Sequence, residues 1–281
     1  MNAKIALREG RGLTPAERQL ATAILRLGDR VQDLSIKQLA KTASRSVATV
    51  HRLCHKIGLE GYKSLKVELA RASELEARSG IVDINFPFSA GWDARQVSQS
   101  MGVLYTTTVT QTNDLMDAGA MDRAARIVSH AARVNLYTES HNVYPAQMFM
   151  DRLLSIGHDA TCHTSYERQV RSALRSDEGQ VAIFISYSGV LPRLERLMPI
   201  LAQRHTPTIL IGTPAAARRN PGLDVYLAVS DAERYQGRIT QFASHLAVHY
   251  VLDVLFGCVF ALDWDNNMAF LEQSLPYTRK V

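Results

Sequence analysis

Cysteine is scarce in this 281-residue chain: the three thiols, at Cys54, Cys162 and Cys258, are odd in number and far apart. That excludes a disulfide framework and predicts the reduced, mostly buried thiols of a cytosolic protein. Long hydrophobic runs are missing too. The nearest, from Leu246 to Leu262, is interrupted by His249 and Asp253, and a membrane span is not expected. The first eight residues lack an apolar core and cleavage site, so no secretory signal is expected. There are no internal repeats and no low-complexity tracts, which argues against solenoids and disordered tails. What is present, 46% hydrophobic and 21% charged residues, suits a globular chain long enough for two domains, each with its own core.

Charge is unevenly spread. Residues 1–80 carry 15 Lys and Arg against 8 Asp and Glu, a net of +7, and the remainder is −2. Between residues 37 and 66 the cations are Lys37, Lys41, Arg45, Arg52, Lys56, Lys63 and Lys66, and the one acid is Glu60. A solvated helical hairpin mixes signs; a one-sided excess is the electrostatic footprint of a nucleic-acid partner.

The same stretch has helix-turn-helix spacing. Ser35 suits an N-cap ahead of Ile36, Leu39 and Ala40, a small polar break follows at Ala43, Ser44 and Arg45, and Ser46 suits a second cap. Val47, Val50, Leu53, Cys54 and Ile57 then recur at three- and four-residue steps as a core stripe. Ala48, Thr49, Arg52, His55 and Lys56 fall on the other side, as in a helix that enters the major groove of duplex DNA. Lys41, Arg45, Ser46, Thr49, Arg52 and Lys56 are the expected DNA-binding residues, with Thr49 and Arg45 on base edges and Arg52, Lys56 and Lys41 on phosphates or nearby guanine. An earlier helix is expected from Thr14, Pro15 and Glu17, a capping box with proline in the first turn. A basic helix is expected over 62–77, with Leu65, Leu69 and Ala72 inward, and a linker over 81–92.

Past Trp92 the pattern becomes α/β. Helices are expected over 93–117 and 121–132. Short β-rich runs at 133–138, 159–163, 180–186, 207–212 and 223–230 then alternate with helices at 145–156, 166–175, 191–203 and near 215–218, and a long apolar helix over 236–260 closes the chain. This order predicts a parallel sheet covered on both faces, with ligands outside the carboxyl ends of its strands. Thr138–Asn142 and Ser186–Gly189 occupy such ends. In the second, Ser186, Ser188 and the amides of a following helix start at Leu191 and Pro192 form either an anion cradle or a plain capped turn.

Leu39 and Ala40, Ala48 to Val50, Arg52, Lys56 to Gly58, Gly61 and Tyr62, together with Ile185 to Gly189, resemble the RpiR family of bacterial transcription regulators. Arg238, Ser244 and Val251 to Phe256 resemble its closing helix, so the likeness spans nearly the whole chain. It implies a helix-turn-helix domain over 1–80 joined to a SIS (sugar isomerase) domain over 93–281, of three layers with a five-stranded parallel sheet. It implies a cytoplasmic dimer or tetramer that represses or activates genes of sugar catabolism on sensing a phosphosugar, with no catalytic residues, metal or cofactor. The family's two glycines after the first strand of that domain fall at Thr138 and Ser140, its serine at Asn142, and Val190 and Leu191 stand where an acid and a threonine are common. Bulkier residues restrict the close backbone approach that a phosphate needs. A different polar or acidic metabolite, met by Glu139, His141, Arg193, Glu233 and Arg238, is therefore the alternative effector. The expected ligand-binding residues are Glu139, Ser140, Asn142, Ser186, Ser188, Gly189, Glu233 and Arg238. The competing reading is a sugar-phosphate isomerase with Glu139, Glu233 or His141 as base, which leaves the basic N-terminal module unexplained. His245, His249 and Asp253 share a helix face at a spacing that can hold zinc, but nothing else in the sequence supports a metal.

Overall fold

A computed structural model of the chain describes residues 3–79, 82–190 and 194–278. The chain divides into two compact units, Met1–Thr106 with Arg234–Thr240, and Thr107–Glu233 with Gln241–Val281.

The first unit is helical: α1 (Ala3–Glu9), α2 (Pro15–Leu27), a 3₁₀ turn (Gly28–Asp33), α3 (Ile36–Thr42), α4 (Val47–Lys56) and α5 (Tyr62–Ser79). Thr14, Ser35 and Ser46 cap α2, α3 and α4, the first two in full capping boxes with Glu17 and Gln38. Leu20, Ile24, Leu39, Val50, Leu53 and Leu65 are fully buried in one core. The α3–α4 turn places Ser44 at φ +53°, with the Arg45 amide donating to Ala40 O at 2.8 Å. Helix α1 carries no cap signal in the sequence; its Ala3 and Leu7 are held by the core.

The expected linker is packed rather than loose. Asp83 pairs with Arg8 at 2.8 Å, and Trp92 Nε1 donates to Asp29 at 3.3 Å. A Cβ at Gly28, where φ is +52°, would lie 2.5 Å from Ser89 Oγ, so glycine is what lets the segment close on the turn. Helix α6 (Ala94–Asp114) follows.

In the second unit β1 (Arg133–Tyr137), β2 (Ala160–His163), β3 (Gln180–Ile185), β4 (Thr208–Gly212) and β5 (Val225–Ala228) form an all-parallel sheet in the order β2-β1-β3-β4-β5. Alternation sorts the side chains. Val134, Leu136, Val181, Ile183, Ile185, Ile209 and Ile211 face α7 (Ala118–His130), α8 (Val143–Ser155) and α12 (Ala243–Leu262). Tyr137, Ala182, Phe184 and Leu210 face α9 (Tyr166–Arg175), α10 (Leu194–Gln203) and α11 (Pro214–Arg219). The expected start of α10 at Leu191 and Pro192, with Arg193, lies outside the described residues.

Two expectations are corrected. The closing helix begins at Ala243, because the carboxylate of Glu233 accepts from the Ala243 and Ser244 amides at 3.1 Å each and fixes its first turn there. It runs for 20 residues at a mean hydropathy of 1.8, long and apolar enough to cross a membrane, despite His249 and Asp253. Its Ala247, Val248, Val251, Leu252, Leu255 and Val259 are buried in the unit's core, and 33% of its most apolar 18-residue stretch is buried. Helix α13 (Trp264–Thr278) then follows, with Asn267 buried and donating to Phe260 O at 3.1 Å.

Candidate DNA-binding helix and strand-end loops

Helix α4 buries Thr49, Val50, Leu53 and Cys54 and turns Ala48, His51, Arg52, His55 and Lys56 outward. Thr49 is 5% exposed: its Oγ1 lies 2.9 Å from Ser46 Oγ and accepts from Arg52 at 3.2 Å. It supports the capping serine and aims the arginine; it does not reach outward, being next to Val50 on the core stripe. Lys56 is engaged within the unit as well. Its Nζ donates to Glu17 Oε2 at 2.8 Å and to Gly12 O at 3.2 Å, stapling α4 to α2.

Glu17 is the organising acid of this unit. Its side chain is 3% exposed, its carboxylate accepts from the Thr14 amide at 2.8 Å, and Arg52 Nε lies 4.0 Å away. The Lys56 hydrogen bond, followed by the Thr14 amide, holds its pKa at about 2. The capping box identifies Glu17 from sequence; the reach to Lys56 spans 39 residues and has no local signal.

Of the other expected contacts, Lys41 is exposed on α3 and Ser46 at the tip of α4. Arg45 donates to Ser44 O at 2.8 Å, with its Nε buried and unpaired. Arg52 keeps 65% of its side chain exposed. His51, which the sequence reading missed, stands outward between Ala48 and His55; its spacing from Ala48 was the available signal.

In the second unit β1 and β3 deliver their loops to one edge of the sheet. Thr138 is buried and braces the first loop, donating from Oγ1 to Ile185 O at 3.0 Å. Glu139 is half-buried, Ser140 takes φ +58°, and Asn142 is buried at the end of a 3₁₀ turn leading into α8. The glycine-type backbone at Ser140 is thus kept without glycine.

The second loop is held more tightly. Ser186 Oγ accepts from the Gly189 amide at 3.1 Å and Ser188 Oγ from the Val190 amide at 3.1 Å. Arg219 donates to Ser188 O at 2.6 Å and Asn220 to Gly189 O at 3.1 Å, two clamps that sequence reading did not name. Gly189 has φ +67°, and a Cβ there would stand 2.5 Å from Ala216 Cα. On Gly212 it would stand 2.4 Å from Ser186 O, so the loop closes only because both residues are glycine.

Glu233 is buried with both carboxylate oxygens on the first amides of α12, and its carbonyl accepts from Tyr187 at 3.0 Å. His245, in that first turn, has its ring 6.4 Å from that of His141, and burial, then His249, lowers its pKa. Arg238 belongs to Arg234–Thr240, which packs in the first unit through bonds such as Ile239 N to Asn85 O at 3.0 Å. The α/β unit by itself holds Glu139, Ser140 and Asn142 on the loop after β1, Ser186, Ser188 and Gly189 on the loop after β3, and Glu233 capping α12, but not Arg238. Burial pushes the Cys54 and Cys162 thiols up to about 11, far from a nucleophile's range. Asp253 is engaged by Arg152 and, at 3.5 Å, by His249.

An all-helical unit whose α4 is cationic and exposed, joined to a parallel α/β unit with clamped strand-end loops, defines a helix-turn-helix protein carrying an α/β domain. Residues 1–75 match the model described as the helix-turn-helix domain, rpiR family. The N-terminal part of the chain is thus an rpiR-family helix-turn-helix domain. A helix-turn-helix-type transcriptional regulator of Caldanaerobacter subterraneus subsp. tengcongensis is 25% identical over 261 residues, 93% of this chain and 91% of that one. HexR of Pseudomonas aeruginosa is 24% identical, covering 95% and 93%. Among solved structures, Vibrio vulnificus NanR complexed with ManNAc-6P superposes with a TM-score of 0.56 at 22% identity, covering 99% of this chain and 100% of NanR. The sugar isomerase domain of an RpiR transcription factor from Sphaerobacter thermophilus gives 0.56 at 16% identity, over 63% of this chain and 97% of that domain. The α/β unit thus has the sugar-isomerase fold.

Proposed function

We propose that the chain is a metabolite-responsive regulator that works as a cytoplasmic homodimer and does not act as an enzyme. Two copies of α4 enter successive major grooves of a pseudo-palindromic operator, about one helical turn or a multiple of it apart. Ala48, His51 and Arg52 face base edges, while Lys41, Arg45, Ser46 and His55 meet the backbone. Thr49 and Lys56 hold the helix in place.

The effector is a sugar phosphate or a related polar sugar derivative, held between the Thr138–Asn142 and Ser186–Gly189 loops. The observation that carries this reading is the Ser186–Gly189 loop: paired serine hydroxyls on backbone amides, clamped by Arg219 and Asn220, on a chain that begins with an rpiR-family helix-turn-helix domain. Rotation of Ser186 and Ser188 hands the Gly189 and Val190 amides to an anion. The ManNAc-6P in NanR supports that ligand class. Because both Glu233 oxygens cap α12, its carboxylate is better explained as structural than as a general base. Effector binding then shifts the dimer between arrangements of different DNA affinity.

Calorimetry with a panel of sugar phosphates, amino-sugar phosphates and sugar acids tests the site. Binding of one member, lost in the Ser186→Ala/Ser188→Ala variant, is expected. Undiminished binding in that variant removes these loops as the site.

A further inference from the structure

The face of the sheet under α9 breaks a rule of covered parallel sheets, whose strands are apolar on both sides. Parallel register places Arg133 beside Gln180, Asn135 beside Thr161, and Tyr137 beside His163 on this face. Asn135 is 2% exposed and makes three side-chain hydrogen bonds: its Oδ1 accepts from Thr161 at 3.0 Å and Ser172 at 3.1 Å, and its Nδ2 donates to Gln180 at 3.0 Å. Above this polar floor, Arg168, Arg171 and Arg175 occur at i, i+3 and i+7 on α9, one face of two helical turns.

A cleft of about 200 Å³ lies between floor and helix, and its described lining holds Arg133, Arg168, Arg171, Arg175 and His163 with no acid. Two of these cations have partners outside the lining: Arg133 pairs with Asp159 at 2.6 Å and Arg171 with Glu167 at 2.6 Å. Arg168 and Arg175 have no ion pair among the described residues. Burial, and after it the charges of Arg168 and Arg133, lowers the pKa of His163.

A merely solvated cationic helix accounts for the arginines but not for the polar floor, which an apolar triplet would fill at lower cost. We propose that this cleft binds a compact polyanion, a phosphorylated or polycarboxylate metabolite, at a site distinct from the strand-end loops. The two unpaired arginines stem from backbone positions about 10 Å apart along α9, at 1.5 Å rise per residue, a spacing that suits anionic groups at the two ends of a small molecule. Each presents a planar fork of donors matched to phosphate or carboxylate. The volume is comparable with the roughly 150 Å³ that accommodates a single benzene ring, so a small metabolite fits better than a polymer. No residue of Thr138–Asn142 or Ser186–Gly189 lines the cleft.

Pyrophosphate and citrate, titrated calorimetrically into the full-length protein, separate the two sources of this chemistry. One site per chain is expected for at least one probe, weakened tenfold or more in Arg168→Gln/Arg175→Gln and unchanged in Ser186→Ala/Ser188→Ala. Arg168→Lys/Arg175→Lys, which keeps charge but loses the fork, is expected to fall between, and it serves if the glutamine variant does not fold. The proposal is overturned if neither probe binds at millimolar concentration or if the glutamine and lysine variants both bind like wild type. It is also overturned if the loop variant abolishes binding equally, or if the arginine variants weaken duplex DNA binding while leaving both probes untouched.

Discussion

The two units hold their polar groups in opposite ways. On α4 the groups offered to a partner stand in solvent, and the acid that reaches that helix, Glu17 of α2, is buried and paired with Lys56. In the strand-end loops the serine hydroxyls, the Glu233 carboxylate and the loop carbonyls are turned onto backbone or clamped from α11. A partner with a phosphate at every step is recognised through an exposed field, which salt weakens and geometry tolerates. A small molecule is selected by fixed donors, and fixing them requires that each be bonded beforehand. The difference teaches that, under the proposed function, exposure marks the working residues in one unit and bonded order marks them in the other.

Substitutions can break this contrast. The largest effect is expected at Gly189→Ala: left-handed strain and the Ala216 backbone combine to cost about 3–5 kcal/mol, read by chemical denaturation of the α/β unit, with metabolite binding lost. Next, Glu17→Ala removes a capping box and the staple to α4, and a loss of about 2–3 kcal/mol is expected in the helical unit. The same pair gives an acid transition. Because the Glu17 pKa is lowered from 4.5 to about 2, its stabilisation is full above pH 4.5 and lost as pH falls towards 2. A helical signal with no such transition in wild type, or one unchanged in Glu17→Gln, contradicts the assignment.

Arg52 and Lys56 form the sharpest internal pair. Arg52→Ala is expected to weaken DNA binding by about 1–3 kcal/mol while leaving stability within about 0.5 kcal/mol. Lys56→Ala is expected to do the reverse, chiefly lowering stability, and equal effects of the two on DNA affinity would dissolve the distinction. The smallest effect is at Ser44→Gly, where relief of the φ +53° backbone is expected to stabilise the helical unit by about 1 kcal/mol, seen as a raised denaturation midpoint.

Much of the fold is written locally. Thr14 with Glu17, and Ser35 and Ser46, announce helix starts through caps, and Val181 to Ile185 announces a buried strand by its unbroken apolar run. Helix α1 and the true start of α12 are not legible this way. The first is stabilised by a core assembled from distant helices, and the second is set by Glu233, ten residues before the amide it caps. The candidate sites were legible as residue types and places but not as orientations. Thr49 and Lys56 lie within one turn of the exposed stripe, and only contacts with Ser46, Arg52 and Glu17 turn them to structural work. Arg219 and Asn220 could not be named because they follow the Ser186 loop by some thirty residues and reach it through the fold.

The most direct test is fluorescence anisotropy of labelled duplex DNA from the region upstream of the chain's own gene, titrated with protein at fixed salt, with and without the sugar phosphate that calorimetry identifies. The account predicts salt-dependent binding that Arg52→Ala weakens, and an effector-induced shift in affinity that disappears in Ser186→Ala/Ser188→Ala. An unchanged affinity in Arg52→Ala, or an effector shift that survives loss of both serines, would contradict it.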